Sequence, residues 1–166
     1  MNSYFKLIYL LDKLKGKKIQ YIGRCLDLVW IGFGDIIERK TKHGVDKIAE
    51  YSLHIQCPFK IVDKCKIVVG KSDMFVSATD KEDTVDLNLQ NNTLFDLKAK
   101  TLMDSFNTEK IIDVELNEWG DLFIYLDSIN IAIFIDNSTD DESWRLFRTG
   151  SDDEHAVVSG TGIEFC

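Results

Sequence analysis

Several residue types that often identify a protein are scarce in this chain of 166 residues. Proline occurs once, histidine three times and cysteine four times, at irregular spacing. No apolar run approaches the length that crosses a bilayer. The opening segment MNSYFKLIYLLDKLKGKK is interrupted by charges before an export signal would be complete. We therefore expect a cytoplasmic protein whose cysteines stay free thiols in a reducing environment.

The motifs of common enzyme classes are also missing. GFGD lacks the spacing of a dinucleotide-binding fingerprint, and SGTGIE lacks the lysine and the following helix of a P-loop. The three histidines fall in separate segments, and no nucleophile elbow accompanies them. The cysteines do not show the short paired spacing of structural zinc sites. The sequence therefore predicts no metal and no cofactor, and it favours a protein that is not an enzyme.

Charge is divided unevenly along the chain. Residues 1–50 hold ten Lys/Arg against six Asp/Glu, a balance of +4, and residues 51–166 hold ten against twenty-two, a balance of −12; the sum is −8. An acidic surface repels nucleic acids and lipid headgroups, whereas it attracts basic proteins. We therefore expect no nucleic-acid partner and no membrane partner. The alternative is that the acids only keep exposed loops solvated.

Length and composition indicate one domain over residues 1–166, because 45% hydrophobic and 29% charged residues are typical of a folded domain. Apolar residues at helical spacing predict an N-terminal helix that Asn2 or Ser3 caps and Gly16 ends. The same spacing predicts a second helix over residues 93–106. Both helices lie among segments with the composition of strands.

The strand segments are short and closely connected. KIQYIGRCLDLVWIGFG predicts one or two buried strands with a bend at Gly23–Arg24, ERKTKHGVD predicts a solvated loop or hairpin tip, and residues 71–92 predict a polar connection. The last third alternates in IIDVELN, DLFIYLD and NIAIFID, and continues in SWRLF and HAVVSG. Short turns between consecutive strands favour antiparallel pairing. The predicted fold class is α+β, mainly an antiparallel β-meander with an N-terminal helix and one mid-chain helix.

The segment EYSLHIQCPFKIV carries the clearest strand pattern. Apolar residues occupy every second position from Ala49 to Ile61, which predicts one half-buried strand with an edge, a bulge or an end at Pro58. In this phase Cys57 faces the core, together with Cys65 of the next strand, and His54 faces outward. A catalytic thiol–imidazole pair is therefore disfavoured, since its members would point to opposite faces.

The outward positions of this segment are candidates for a binding site. Three hydrogen-bonding side chains follow one another at strand spacing, and a lysine lies further along; they are Ser52, His54, Gln56 and Lys60. Such a face suits a shallow polar pocket or a partner surface. The alternative is an ordinary solvated sheet face.

The segment DDESWRLFRTGSDDEH is a second candidate. Trp and Arg are often the energetic centres of protein interfaces, and acidic residues determine partner choice and association rate. The predicted partner-binding residues are Asp140, Asp141, Glu142, Trp144, Arg145, Asp152, Asp153 and Glu154. The alternative is a strand that buries Trp144 in the core, with acidic turns around it.

Four segments in order carry a resemblance: IGRCLDLVWIGFG, EYSLHIQCPFKIV, GDLFIYL with IAIFID, and ESWRLF with HAVVSGTGIEF. They resemble a family of small bacterial proteins of uncharacterised function, whose central segment reads ALHIQCPWRI. Phe59 and Lys60 stand here in place of its Trp and Arg. Some small acidic proteins of this kind look like the immunity partners of bacterial toxins. The resemblance implies a bacterial protein and carries no catalytic signature.

Three hypotheses follow. The first is a non-enzymatic protein-binding module, in its specific form an immunity-type inhibitor that presents acids and Trp144 to a basic toxin such as a nuclease. The second is a small-ligand-binding protein or small enzyme that uses the Ser52, His54 and Gln56 face, with Cys57 as an additional candidate. The third is a subunit whose strand edge or apolar patch pairs with another copy, giving a homo-oligomer.

Overall fold

The computed structural model describes residues 2–79, 84–136 and 138–166. It confirms the predicted α+β class, with an N-terminal helix, a mid-chain helix and eleven strands. The helices are α1 (Ser3–Asp12) and α2 (Leu94–Phe106), and a 3₁₀ turn covers Lys71–Phe75. The strands are β1 (Ile19–Cys25), β2 (Leu28–Thr41), β3 (Gly44–Ile55), β4 (Phe59–Asp63), β5 (Lys66–Gly70), β6 (Ile111–Leu116), β7 (Leu122–Leu126), β8 (Ile129–Ile133), β9 (Glu142–Arg148), β10 (Ala156–Ser159) and β11 (Gly162–Phe165). Residues 80–83 of the predicted polar connection lie outside the described residues.

The strands form two antiparallel sheets. Sheet A has the order β1-β2-β3-β9-β10-β11, and sheet B has the order β5-β4-β8-β7-β6. Most neighbours follow each other in the chain, so the predicted meander is confirmed within each sheet. The inward side chains of both sheets and both helices belong to one hydrophobic cluster. The sheets therefore share a single core, and each keeps an outer face directed away from it.

The two helices close the open sides of this sandwich. α1 contacts β6 and β11, the edge strands on one side, and α2 contacts β1 and β5, the edge strands on the other. As predicted, Asn2 caps α1; Thr93 caps α2 and forms a capping box with Asp96. Edge strands carry unpaired backbone groups that invite non-specific pairing, so covering them with helices keeps the sandwich closed.

A buried arginine ties α2 to sheet A. The guanidinium of Arg24 donates to both carboxylate oxygens of Asp96, at 2.8 and 2.7 Å. It also donates to the backbone carbonyls of Leu26, Leu87 and Leu89. Arg24 is 1% exposed. A charge can be buried this deeply only when it is paired and all its donors are satisfied, and here five hydrogen bonds meet that requirement.

The predicted single strand over residues 49–61 is two strands in different sheets. β3 ends at Ile55 in sheet A, and β4 begins after Pro58 in sheet B. Between them the N–H groups of Gln56 and Cys57 both donate to the Ser143 carbonyl. The period-2 pattern continues through this crossing because both sheets bury their inward residues in the same core. The pattern therefore does not reveal the change of sheet.

Three local predictions are also corrected. The first hairpin turns at Leu26–Asp27, with Leu26 at φ 54°, and not at Gly23–Arg24. Cys65 is exposed in the β4–β5 turn, since β5 begins only at Lys66. Of the two alternatives for ERKTKHGVD, the hairpin tip is confirmed and the loop is wrong, because all but residues 42–43 of this segment belong to β2 and β3.

Candidate functional site

The outer face of sheet A is built from two rows of paired positions across β1, β2, β3 and β9. The first row runs through Gly23, Trp30, His54 and Arg145. The second row runs through Tyr21, Gly32, Ser52 and Phe147. Side chains on neighbouring strands in such rows are in direct contact range. The topology therefore collects four rings and several polar groups on one surface.

Two glycines form the floor under two of these rings. The indole of Trp30 lies over Gly23, where a Cβ atom would come within 2.7 Å of it. The ring of Tyr21 lies over Gly32, where a Cβ atom would collide with it. The Tyr21 hydroxyl oxygen accepts a hydrogen bond from the Ala49 N–H at 3.2 Å. Glycine inside a strand commonly marks such a close approach, and here it lets the rings lie against the backbone.

The rings continue across the sheet in contact with one another. His54 packs edge-on against Phe147 with ring centroids 5.0 Å apart, and Phe147 stacks on His155 at 4.2 Å and 11°. Both arrangements are favourable geometries for ring pairs. We call Tyr21, Trp30, His54, Phe147 and His155 the aromatic band. All five residues are only partly buried, so the band presents ring surface to solvent.

A cavity of about 440 Å³ lies over the aromatic band. It is lined by Tyr21, Trp30, Arg39, Lys47, Ile48, Ser52, His54, Phe147 and Thr149. Arg39, Lys47 and Ile48 come from the outer part of the β2–β3 hairpin, residues 36–49, which we call the hairpin arm. The register between β2 and β3 shifts between Phe33 and Ile36. Such bulges bend a strand, and the arm beyond this one supplies a wall of the cavity.

Two cationic side chains, Arg39 and Lys47, line the cavity, and no other charged group of the described residues does, although the chain as a whole carries −8. Arg39 is also paired with Asp46 at 3.3 Å in an exposed position, so part of this positive charge is offset. Burial lowers the pKa of His54, and the nearby positive charge of Arg145 lowers it further. The imidazole is therefore neutral at pH 7 and can both donate and accept a hydrogen bond.

An ion pair orders the β9 side of the band. Arg145 donates through Nε to Glu142 Oε1 at 2.6 Å and through Nη2 to Oε2. This contact lowers the pKa of the Glu142 carboxyl. Arg145 Nη1 lies 3.4 Å from His155 Nδ1, and burial followed by the Arg145 charge lowers the pKa of His155. Arg145, one of the predicted partner-binding residues, thus lies on the outer face, but Glu142 already neutralises much of its charge.

The four ligand-binding candidates predicted from the sequence are divided by the fold. Ser52 and His54 line the cavity. Gln56 follows β3 in an exposed connection, and its side chain helps to lower the pKa of the Glu142 carboxyl. Lys60 belongs to sheet B, where its Nζ lies 5.1 Å from the ring centroid of Phe134. A set expected on one strand face is therefore spread over two faces, because the chain changes sheet at Pro58.

The partner-binding candidates around β9 are likewise separated. Trp144 is fully buried, and its indole N–H donates to the Gly120 carbonyl at 2.9 Å, so it belongs to the core as the alternative had it. Asp140 and Asp141 precede β9, whereas residues 152–154 follow it. A seven-residue strand spans about 20 Å, so the two acidic triplets lie at opposite ends of β9.

The remaining thiol and hydroxyl groups do not assemble a catalytic set. Cys57 is buried, and burial raises the pKa of its thiol to about 12, which leaves it unreactive. It lies on the inner side, opposite His54, as the strand period predicts. No hydrogen bond joins Ser52 to His54, both of which the structure describes. Among the described residues no group of three His, Cys, Asp or Glu is placed to hold a metal ion.

Sequence analysis missed most of the cavity. Tyr21 and Trp30 look like core residues in the sequence, because they lie in KIQYIGRCLDLVWIGFG, a segment that is apolar on both strand faces. The hairpin arm looks like a loop because it is polar. The available signal is the pair of glycines in YIG and WIG, since glycine inside a strand indicates a close approach of another group.

No protein-family model, curated protein or solved structure matches this chain. None of the helices in residues 2–79, 84–136 and 138–166 is both long enough and apolar enough to cross a membrane. The geometry of the two sheets is therefore the basis for a functional proposal.

Proposed function

We propose that the protein is a non-enzymatic binding protein whose site is the cavity over the aromatic band. The ligand is a small molecule with a flat ring and a negative charge. The supporting observation is the lining that the described residues give this cavity: ring surface on its floor and two cationic side chains on its arm, with no carboxylate among the lining residues and Asp46 beside Arg39 in an exposed pair. Ligand pockets typically combine apolar and aromatic walls with a few placed polar groups.

Each part of the cavity has a distinct role in this proposal. The ligand ring stacks on Trp30 and Phe147, where stacking on one aromatic side chain contributes about 1–3 kcal/mol. Its anionic group contacts Arg39 and Lys47, and the neutral imidazole of His54 supplies a hydrogen bond. The cavity is open to solvent, so we expect dissociation constants of about 10–1000 µM for unoptimised ligands.

Binding suits this arrangement better than catalysis does. A hydrolytic site needs a nucleophile within hydrogen-bond reach of its base, and a third group that orients the base. Ser52 and His54 share no hydrogen bond, and Glu142, the carboxylate whose charge acts on His54, is engaged by Arg145. The cavity therefore offers recognition groups without an activated one.

The test uses three ligands that separate the ring from the charge. Adenosine 5′-monophosphate carries both, adenosine has only the ring, and ribose 5-phosphate has only the charge. We expect the monophosphate to shift the amide NMR signals of Gly32, Ser52 and His54, and to bind at least about tenfold more tightly than either part. Indole-3-carboxylate and flavin mononucleotide extend the test to other rings. If none of these planar anions shifts those signals at about 5 mM, the proposal is wrong.

Paired variants of the hairpin arm test the role of its charges. Replacing Arg39 and Lys47 together by alanine removes the two cations of the cavity, and we expect affinity to fall about tenfold or more. Replacing Lys40 and Lys42 by alanine removes the same charge from exposed positions of the same hairpin that do not line the cavity. Equal losses in both pairs, measured by calorimetric titration, would indicate general attraction and contradict a defined site.

The hypothesis of an immunity-type inhibitor stays a prediction. Its remaining support is the exposed carboxylates of Asp140, Asp141 and Asp152. A basic partner would have to span both ends of β9, because these residues do not form one patch. Changing all three to asparagine would abolish such an interaction and leave ligand binding at the aromatic band unchanged. The two functions can therefore be tested separately.

A further inference from the structure

Six of ten outward side chains on sheet B are apolar or aromatic, more than a solvated face needs. The outward positions across its strands are Ile67, Val62, Lys60, Asn130, Ala132, Phe134, Phe123, Tyr125, Asp113 and Glu115. In β7 the sequence LFIYL is apolar on both faces, with Phe123 and Tyr125 outward. A strand with one solvated face alternates between apolar and polar residues, whereas apolar residues on both faces are typical of a strand covered on both sides.

No helix or strand of the described residues covers this face. Phe123, Tyr125 and Phe134 are half-buried only by one another and their neighbours, and Ile67 is 62% exposed. Both helices lie along the edge strands: α1 contacts β6 and β11, and α2 contacts β1 and β5. Large exposed apolar patches on soluble proteins usually mark interaction sites.

The charges on this face lie on β4, next to the edge strand β5, and on the opposite edge strand β6. One row runs Lys60, Ala132, Phe123, Glu115 across β4, β8, β7 and β6. Lys60 contacts the Phe134 ring, and Glu115 accepts a hydrogen bond from the Tyr125 hydroxyl at 3.0 Å. Within the described part of the chain neither of them has an ion-pair partner. The row therefore begins with an unneutralised cation and ends with an unneutralised anion about 14 Å away.

We propose that the outer face of sheet B binds a second copy of the same chain. A twofold axis parallel to the strands, between the two faces, reverses the order of the row. It sets Lys60 of each copy against Glu115 of the other, and the small Ala132 against the large Phe123. An axis perpendicular to the strands would instead set Lys60 against Lys60. The charges therefore select one isologous arrangement, which is self-complementary.

The area of the outer face of sheet B determines the affinity that we expect for the dimer. The twofold axis overlaps four strands of each copy, and four strands at about 4.8 Å by five residues at about 3.3 Å give a footprint of about 19 by 17 Å. With both copies counted, about 650 Å² is buried, the size of a weak, transient contact, so we expect a dissociation constant of about 100 µM. The outer faces of sheet A point away from each other in this dimer, and both cavities stay open. The proposal is thus independent of the proposed ligand.

The test is analytical ultracentrifugation from about 1 to about 500 µM, with charge-reversal variants. Lys60→Glu and Glu115→Lys each place like charges together at two symmetric contacts, and we expect each to raise the dissociation constant at least tenfold. The double variant restores opposite charges and should return most of the affinity. Glu118→Lys, an exposed change in the adjoining turn, is the matched control and should have no comparable effect.

A further variant tests the apolar contact at the centre of the proposed dimer interface. Phe123→Ser removes the ring that faces Ala132, and we expect it to abolish dimerisation while its circular dichroism and cooperative melting show a folded chain. Two results would overturn the proposal. One is a chain that stays monomeric over the whole concentration range. The other is a dimer whose affinity does not respond to Lys60→Glu, Glu115→Lys and Phe123→Ser.

Discussion

The two outer faces of the sandwich differ although the inner faces share one core. On the outer face of sheet A, aromatic rings lie over two glycines, and a cationic hairpin arm forms one wall of an open cavity. The outer face of sheet B consists of short strands with apolar outward residues, and its unpaired charges lie on β4 and on the edge strand β6. A concave face with a few polar groups can bind a small molecule, whereas an apolar sheet face without a cavity can pack against the sheet of another molecule.

The physical origin of the difference is the length and bending of the strands. β2 and β3 have 14 and 12 residues, and the bulge between Phe33 and Ile36 redirects their outer part. The strands of sheet B have five or six residues each and end at the limit of the core. A long, bent hairpin can form one wall of a cavity, whereas short strands do not extend beyond the sheet to form one.

The largest expected effect on stability comes from the buried ion pair that ties α2 to both sheets. Arg24 belongs to sheet A and its partner Asp96 to α2, which also packs on β5 of sheet B. We expect Arg24→Met to lower the free energy of unfolding by about 3–5 kcal/mol, because it leaves the Asp96 carboxylate without its counter-charge and three carbonyls without this donor. Urea unfolding measures the loss, and amide exchange should accelerate in both sheets.

The matched control is Arg39→Met, which removes an exposed arginine; its ion pair within the described part of the chain, with Asp46, is solvent-exposed. We expect this change to cost less than about 1 kcal/mol. If both arginine variants lose similar stability, or if exchange accelerates in sheet A alone, the buried pair does not couple the two sheets.

The second-largest expected effect is the loss of stability when glycines of sheet A, but not of sheet B, are replaced by alanine. Gly23→Ala and Gly32→Ala place a methyl group against the rings of Trp30 and Tyr21, and we expect each to cost about 1–3 kcal/mol. Gly70→Ala in sheet B meets nothing closer than 3.7 Å and has φ −143°, so we expect a change within about 0.5 kcal/mol. Thermal unfolding of the three variants provides the comparison. Equal losses would show that the glycines of sheet A are not needed for ring packing.

The smallest effect is a pH dependence confined to the face of sheet A. The pKa values of His54 and His155 lie below the ordinary 6.5, chiefly through burial. The unfolded chain therefore takes up more protons as pH falls below 6.5. This contribution to stability is complete above the unfolded-state pKa and is lost as pH falls toward the folded-state pKa. We expect the free energy of unfolding to decline from pH 7 to pH 5.

Glutamine variants attribute that decline to particular residues. His54→Gln with His155→Gln should flatten the profile between pH 7 and 5, measured by urea unfolding at each pH. His43→Gln changes an exposed residue at the hairpin tip and serves as the control. A decline that persists in the double variant would place its origin outside the aromatic band.

Much of the fold was predictable because its signals are local. The caps at Asn2 and Thr93, the apolar spacing of both helices and the turns between β6, β7 and β8 are each contained in a few neighbouring residues. The site was less predictable. Ser52 and His54 were predicted as candidates, whereas Tyr21, Trp30 and the hairpin arm were not, because their role depends on which strands become neighbours.

The sequence by itself determined the class of the fold, the two helices, the antiparallel strands and the inward phase of most of them, since these follow from short-range periodicity and capping. Tertiary structure decided the rest. It placed β4 in a different sheet from β3, buried Trp144 and separated the acidic triplets. It also brought β9 beside β3, so that Phe147 packs against His54. Pairing between strands that are distant in the chain depends on how the whole core closes, and no local pattern records it.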